Sequence, residues 1–188
     1  MKKLFILFAA CMIAVNMMAE GHMKFKGVEM KGTPQEFAEE LEDKGFTLSN
    51  INSDTPILNG DFAGYKQCRV VVGGIKNTVV TDVQVSFPYR RTWQDMYDNY
   101  TQLKEMLTSK YGEPASDIED WHGRRYSDDL HKLQALRENR VTIMTQFNTP
   151  EGKIELFVMC EYNLFFVVLK YFDAINQKVA HNNAIDDL

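Results

Sequence analysis

Hydrophobic and polar residues alternate most regularly between Val79 and Phe87. In this segment the odd-numbered residues are apolar or threonine, and the even-numbered residues from Asp82 to Ser86 are polar. An alternation with a period of two predicts a strand with one buried face and one solvated face. Similar runs, separated by turn residues, predict five further strands. The six predicted strands cover residues 57–62, 65–72, 79–87, 141–147, 154–161 and 164–172.

The segment after Thr33 predicts a helix. Thr33, Pro34 and Glu36 stand in the order of a capping hydroxyl, a first-turn proline and a capping-box acid. Apolar residues then recur at helical steps until Gly45, which forms a left-handed stop with the aromatic residue that follows it. We therefore expect the helix to end at residue 44 or 45. Its apolar stripe consists of Phe37, Ala38 and Leu41.

Two more helices are predicted between the two groups of strands. One begins at Thr92, with Asp95 in the position of a capping-box acid, and stops at Gly112. The other covers residues 128–138 with Ser127 as its cap. The buried stripes are expected to consist of Trp93, Met96, Tyr97, Tyr100, Leu103 and Leu107 in the longer helix and of Leu130, Leu133 and Leu136 in the shorter one.

The order of these elements predicts an α+β protein built from two tandem units. Each unit is a helix plus an antiparallel meander of three or four strands, with the helices packed on the sheet. The first unit is expected at 20–90, with a turn at Gly73-Gly74, and the second at 91–176, with a hairpin loop at 148–152. Residues 177–188 are polar and lack periodicity, which predicts a flexible C-terminal tail.

The N-terminus has the pattern of an export signal. Lys2 and Lys3 precede an unbroken apolar run from Leu4 to Val15, and Ala19 supplies a small residue at the expected cleavage position. A membrane-spanning helix needs about 20 apolar residues, so this run is too short for an anchor. We therefore expect residues 1–19 to be a signal peptide and the rest of the chain to be located in the periplasm or outside the cell.

Charge and composition narrow the classes of function. The chain has 21 Lys and Arg and 26 Asp and Glu; the leader contains two lysines and no acid, so its removal leaves a net charge of −7. Nucleic-acid recognition depends on clustered basic residues, and the only adjacent basic pairs after the leader are at 90–91 and 124–125. Nucleic acid is therefore not an expected partner. Hydrophobic residues make up 45% of the chain, enough for a packed core.

Two cysteines follow the leader, Cys68 and Cys160. An oxidising compartment would permit them to form a disulfide. Both also lie in strand-like runs with apolar neighbours on the same face, where a free cysteine behaves as a small hydrophobic residue. The sequence leaves both states open.

The densest group of potential metal ligands lies between Asp117 and His131. A metal site is conceivable because Asp128 and His131 stand three residues apart on the predicted third helix, with His122 in the preceding loop. The favoured interpretation is that Asp128 and Asp129 compensate the helix dipole and that the other residues belong to a solvated loop. The full group is Asp117, Glu119, Asp120, His122, Asp128, Asp129 and His131.

No motif in the sequence identifies a reaction. The chain contains no G-x-S-x-G elbow, no HExxH pair and no glycine-rich phosphate loop, and neither Cys68 nor Cys160 has neighbours that favour a reactive thiolate. We therefore predict no catalytic, cofactor-binding or metal-binding residue and no cofactor.

The last two predicted strands are the one candidate for a binding surface. Residues 164–169 are apolar on both faces, and Phe157 and Met159 alternate with Leu156 and Val158 on the preceding strand. Either both faces of the sheet are covered, or one face presents an aromatic patch to a partner. Burial of a central strand is the favoured interpretation.

Five segments carry a resemblance to known proteins: Met23–Gly27, Gly60–Tyr65, Leu103–Pro114, Tyr171–Asn176 and Asp186–Leu188. Together they resemble a group of uncharacterised secreted proteins of Gram-negative anaerobic bacteria, over nearly the whole chain after the leader. The order of elements is also similar to the tandem fold of the secreted β-lactamase-inhibitor protein and of small outer-membrane assembly lipoproteins. The resemblance implies secretion and a helical layer on an antiparallel sheet, and it transfers no catalytic or inhibitory residue.

From these observations we predict an exported, non-enzymatic protein that binds another protein or an envelope component through a sheet face. The alternative is a secreted metal-dependent hydrolase that uses the acidic and histidine-bearing segment 117–131. A third possibility is a purely structural protein of the envelope.

Overall fold

The structure is a computed structural model that describes residues 21–52, 55–75 and 78–186, with side chains up to residue 185. The expected signal peptide therefore lies outside the described residues. In chain order the described elements are β1 (Lys24–Phe25), β2 (Val28–Glu29), α1 (Pro34–Glu42), β3 (Thr47–Asn52), β4 (Thr55–Phe62), β5 (Tyr65–Ile75), β6 (Val79–Ser86), α2 (Trp93–Tyr111), β7 (Ser116–Trp121), α3 (Asp129–Arg137), β8 (Val141–Thr149), β9 (Gly152–Glu161), β10 (Leu164–Asp173) and α4 (Ala174–Asp186).

Eight of these strands form one antiparallel sheet, in the order β3-β4-β5-β6-β10-β9-β8-β7. Strands β3 to β6 follow one another as neighbours and are called the first half-sheet; β7 to β10 do the same and are called the second half-sheet. The last strands of the two halves, β6 and β10, pair with each other at the centre. The predicted α+β class with a large antiparallel sheet is confirmed.

Helix α1 begins as predicted but ends at Glu42, with Asp43 as its cap, two residues before the earliest predicted end. The Thr33 side chain accepts a hydrogen bond from the Glu36 backbone N–H, and the Glu36 carboxylate accepts one from the Thr33 backbone N–H, which forms a capping box. Gly45 has a φ of 89°, and the Phe46 N–H donates to the Leu41 carbonyl at 3.2 Å. The ring of Phe46 lies over Gly60, where a Cβ atom would come within 2.4 Å of it.

Helices α2 and α3 differ in how well the sequence predicted them. In α2 the Thr92 side chain caps the Asp95 N–H, and most of the predicted stripe is buried. In α3 the cap is Asp128, not the expected Ser127, because the Asp128 carboxylate accepts the His131 N–H. Leu130 was expected in the buried stripe and is instead 73% exposed. The short α3 therefore contacts the core mainly through its C-terminal half, at Ala135 and Leu136.

Two strands of the eight-stranded sheet, the short strands β1 and β2, and one turn differ from the sequence prediction. Strands β3 and β7 were not predicted, and the segment around 117–122 was expected to be a loop. Both strands are the edges of the sheet, where most side chains are exposed and no alternation of burial marks them. Gly73-Gly74 was expected as a turn but continues β5 through an irregularity in its pairing with β6. A Cβ atom on Gly74 would lie 2.5 Å from Pro34, so this glycine lets α1 approach the sheet.

The C-terminal segment was expected to lack regular structure, and this was wrong for α4. The helix has no continuous apolar face, so helical periodicity could not reveal it. Its start is fixed by Asp173, whose buried carboxylate accepts hydrogen bonds from the backbone N–H groups of Asn176 and Met23, both at 2.7 Å. The Asn176 amide in turn donates to the carbonyls of Met30 and Val80. Polar capping, not apolar packing, sets the beginning of this helix.

None of the helices among residues 21–52, 55–75 and 78–186 is both long and apolar enough to cross a membrane.

Candidate binding surface

Helices α1, α2 and α3 pack on one face of the sheet. Helix α1 contacts β3 to β6, and α2 and α3 contact β8 and β9, with α2 also on β10. The side chains of β10 show the two faces: Phe165 and Val167 belong to the core beneath the helices, whereas Phe166 and Val168 lie outside that core cluster. We call the face that contains Phe166 and Val168 the open face.

A row of apolar side chains crosses the second half-sheet on the open face. Ile118 of β7 pairs with Met144 of β8, which pairs with Phe157 of β9. Phe157 pairs with Val168 of β10, and one row further along the strands Met159 pairs with Phe166. We call these six residues the apolar stripe: Ile118, Met144, Phe157, Met159, Phe166 and Val168.

The stripe is three strand spacings long and two rows wide. Four strands at about 4.8 Å spacing give it a length of about 14 Å, and its two rows lie about 7 Å apart. Exposure falls from the sheet edge to the centre, from 37% at Ile118 to 8% at Phe166 and 0% at Val168. Met144, Phe157 and Met159 are half-buried. The accessible apolar surface is therefore concentrated on β7, β8 and β9.

Charged side chains beside the stripe are paired with one another. Lys170 of β10 lies 3.1 Å from the Asp82 carboxylate on β6, and Lys153 lies 2.7 Å from Glu155 on the same strand. Both ammonium groups also stand over the ring of Phe172, at 4.9 and 4.5 Å from its centre. Because these charges compensate each other locally, the stripe favours an uncharged apolar partner surface.

The same face of the first half-sheet is more polar. The row that contains Val168 continues through Ser86 of β6, Arg69 of β5 and Asn59 of β4. The next row holds Gln84 together with the half-buried Val71 and Ile57.

Exposed aromatic and aliphatic side chains extend the stripe at one end of the sheet. Tyr162 is 89% exposed at the tip of the β9–β10 hairpin, with Tyr89 at 51% and Leu164 at 43% nearby. Tyr162 and Asn163 have φ values of 51° and 62°, the left-handed pair that a two-residue hairpin turn requires. A cavity of about 550 Å³ lies beside these residues, with Arg69 and Phe166 in its lining. Tyrosine at such a position is well suited to contact a partner protein.

The members of the group of potential metal ligands that lie on β7 are divided between its two faces. Asp117 and Glu119 point toward the helices, and Asp120 points to the open face, because successive side chains of a strand alternate. Glu119 accepts hydrogen bonds from the Tyr97 hydroxyl at 3.0 Å and from the Trp121 indole at 2.9 Å. It is also 2.8 Å from the Arg125 guanidinium. Through these contacts Glu119 holds α2 and the segment after β7 together.

The remaining members of that group also have local partners. The Asp128 carboxylate caps α3 through His131, whose backbone N–H and ring together hold the pKa of Asp128 below its ordinary value. His122 lies 3.3 Å from the Thr142 hydroxyl and 3.5 Å from Asp120. In the part of the chain that the structure describes, no three His, Cys, Asp or Glu side chains are placed to hold one metal ion.

A buried polar chain connects α2 to the second half-sheet. The Thr145 hydroxyl donates to Asp117 at 2.8 Å, so the Tyr100 hydroxyl, 2.5 Å from Thr145, must donate to that hydroxyl in turn. Burial raises the pKa of Tyr100 to about 12. Burial also acts to raise the pKa of Asp117, but hydrogen bonds from Lys104 and Thr145 outweigh it and lower that pKa. Tyr100 was expected among the buried apolar residues of α2, and the hydrogen bonds of its hydroxyl were not predicted.

Cys68 and Cys160 are both free thiols in the structure. Cys68 is fully buried on the helix-covered face of β5, and burial raises the pKa of its thiol to about 11. Cys160 is half-exposed near the end of β9. A thiolate is needed for alkylation or disulfide exchange, so Cys68 is the less reactive of the two.

The sequence indicated part of the apolar stripe and missed the rest. Phe157, Met159 and the β10 residues were recognised as a possible aromatic patch. Ile118 and Met144 were missed because their place beside Phe157 depends on the pairing register of β7 and β8. Met144 alternates with the core residues Ile143 and Thr145, which was the one available signal.

In comparisons with known proteins, the chain matches no protein-family model, and no curated protein or solved structure gives a significant match.

Proposed function

We propose that this is an exported, non-enzymatic protein that binds another protein or an envelope component through the open face of its sheet. The observation that carries the proposal is the apolar stripe, which continues across four paired strands on the face opposite the three core-covering helices. Exposed contiguous apolar surface in a folded chain is typical of an interaction site.

The composition of the stripe also supports a protein partner. Methionine and aromatic residues are enriched in protein interfaces, and the stripe contains Met144, Met159, Phe157 and Phe166. Methionine side chains are flexible and polarizable, so they adapt to partner surfaces of different shape. In the flanking ion pairs Lys170–Asp82 and Lys153–Glu155, each charge is compensated by its partner.

The proposal includes the tandem architecture expected from the sequence. Each half of the chain supplies a helix followed by a four-stranded meander, with α3 inserted between the first and second strands of the second half. This order supports two units at 20–90 and 91–176 and the topological likeness to the β-lactamase-inhibitor protein. Membership of the group of secreted proteins from Gram-negative anaerobes is proposed on the same sequence segments as before.

The alternative of a metal-dependent hydrolase receives less support from the geometry. Its candidate ligands are divided between the two faces of β7 and the cap of α3, and Asp117, Glu119 and Asp128 are each held by other side chains. A metal ion at this segment would require these contacts to break.

Export is tested by the mature N-terminus. The full chain is expressed in a Gram-negative host, and the periplasmic protein is analysed by intact mass and N-terminal sequencing. We expect a chain that begins close to Glu20. A protein that keeps residues 1–19 and stays with the inner membrane would contradict the export proposal.

Binding through the open face is tested by adding charge to it. Met144→Glu with Met159→Glu places two carboxylates in the stripe, and the matched control, Asn59→Glu with Gln84→Glu, places two on the polar half of the same face. Proteins are crosslinked in envelope extracts of the native host, and specific partners are quantified. We expect the stripe variant to lose the partner that the wild type and the control retain. Equal capture by all three proteins would refute the assignment.

A further inference from the structure

A gap in the sheet lies beside the apolar stripe. Pairing between β8 and β9 ends at Met144 and Phe157. Beyond this point β8 continues to pair with β7 as far as Val141, and β9 continues to pair with β10 as far as Glu161. The two neighbouring strands therefore separate at this end while each stays attached to its other partner.

The separation creates a cavity of about 340 Å³, which we call the socket. Its walls include Ile143 and Met144 of β8, Phe157 and Met159 of β9, Leu136 of α3, and Cys160. Met144, Phe157 and Met159 also belong to the stripe, so the socket and the stripe are continuous. Side chains of both sheet faces contribute to it, which means that the socket extends from the open face into the sheet.

Most side chains that line the socket are apolar, and Asn139, Thr142 and Glu155 are its polar residues. Glu155 is the one charged residue in its lining, and that carboxylate is paired with Lys153 at 2.7 Å. An apolar cavity of about 150 Å³ is sufficient to bind benzene, so the socket has room for an indole ring. A ring of that size buries about 150–250 Å², which is enough for one side chain to dominate an interface.

We infer that the partner of the open face inserts one large aromatic side chain into the socket while its surrounding surface covers the apolar stripe. This inference rests on the proposed function and names the anchor of that interface. A free small molecule would fill the socket but leave the stripe exposed, whereas a protein surface covers both. Hot-spot residues characteristically occupy such pockets at the centre of an apolar contact.

Cys160 provides a reporter for the socket. Its thiol is half-exposed in the lining, and the fully buried Cys68 has a raised pKa that slows its alkylation. With Cys11→Ser in the full chain, the rate of Cys160 alkylation by iodoacetamide can be followed by peptide mass spectrometry. The probe is N-acetyl-tryptophanamide, with N-acetyl-lysinamide as the charged comparison and decanoate as a lipid-like comparison.

We expect the tryptophan amide to slow alkylation of Cys160 about five-fold at about four times its dissociation constant, because only the unoccupied fraction reacts. The lysine amide should have no effect. Met159→Trp supplies an indole from the wall of the socket and should remove the response to the probe. The matched control Met106→Trp, at an exposed position of α2, should retain it.

Three results would overturn the inference: no protection by the tryptophan amide, protection that persists in Met159→Trp, or protection by decanoate at lower concentrations than by the amide. The last would assign the socket to an acyl chain. If the tryptophan amide does not protect Cys160 but capture of a partner depends on the stripe, the aromatic anchor is refuted and the proposed function is not. Protection by the amide without stripe-dependent capture would refute the proposed function and leave the socket as a small-molecule site.

Discussion

Both half-sheets carry helices on one face, and they differ in the side chains on the opposite face. Helix α1 packs on the first half-sheet, and α2 and α3 pack on the second, so each half buries its core in the same way. On the open face the first half-sheet presents Asn59, Arg69 and Ser86 in the row where the second presents Phe157 and Met144.

In this row the first half-sheet has polar side chains on the open face, whereas its next row holds the half-buried Val71 and Ile57. The first half-sheet keeps a polar row at the same position in the same sheet, so it acts as an internal reference for the second. The accessible apolar side chains of the stripe, at Ile118, Met144, Phe157 and Met159, increase the risk of aggregation. Their presence on the second half-sheet agrees with the proposed contact with a partner.

The comparison holds if the two halves fold as one unit, and the largest predicted effect tests this at Asp173. This residue ends β10, and its fully buried carboxylate accepts hydrogen bonds from His22 and Met23, at the beginning of the described chain, and from Asn176. Asp173→Ala leaves two buried N–H groups without an acceptor. We expect the free energy of unfolding to fall by about 2–4 kcal/mol in urea titrations.

The control for this variant is Asp61→Ala, which removes an exposed carboxylate that pairs with Lys66. We expect this substitution to lower the free energy of unfolding by about 0.5 kcal/mol or less. Equal small effects of the two substitutions would show that Asp173 does not connect the halves. Two separate unfolding transitions in Asp173→Ala would show that it does so and that the halves have individual stability.

A second prediction uses the buried polar chain that distinguishes the cover of the second half-sheet. The pKa of Tyr100 is about 12 in the folded state and about 10 in an unfolded chain. The unfolded state therefore releases the proton first, and the stabilising contribution of Tyr100 is complete below pH 10 and lost as the pH rises to 12. A shift of this size corresponds to about 2–3 kcal/mol.

Tyr100→Phe tests this contribution directly. At pH 8 the variant should be about 1 kcal/mol less stable, because the hydrogen bond to Thr145 is absent. Above about pH 11 the order should reverse, since the variant has no hydroxyl to ionise at this position. Parallel pH profiles of the two proteins in guanidinium unfolding would contradict the assignment of this group to the alkaline loss of stability.

The residues that the sequence predicted well share a local physical cause. The α1 capping box at Thr33 and Glu36 and the stop at Gly45 depend on neighbours within five residues, so they are readable from the chain. The edge strand β7 and helix α4 depend on distant partners, whereas β3 pairs with the neighbouring β4 and was missed because its side chains show no alternation of burial. Asn176 of α4, for example, bonds to carbonyls of Met30 and Val80, which no local pattern indicates.

The candidate surface was predictable only in part for the same reason. Phe157 and Met159 could be recognised as apolar residues opposite a core face, but the stripe requires the register of four strands. The socket requires in addition that β8 pairs with β9 over residues 144–149 and not over the preceding residues 141–143. A single sequence does not indicate over how many residues two neighbouring strands will pair.

The smallest predicted change in stability concerns the stripe itself and bears most directly on the comparison of the two halves. Met144→Gln with Met159→Gln makes the open face of the second half-sheet resemble that of the first. We expect the free energy of unfolding to change by about 1 kcal/mol or less, because both side chains are half-buried and outside the core cluster. Leu156→Ala, a substitution of the core-facing neighbour of Phe157, should cost about 2–5 kcal/mol in the same titration. A loss of comparable size in the double glutamine variant would mean that the stripe stabilises the fold and that the polar row of the first half-sheet is no guide to it.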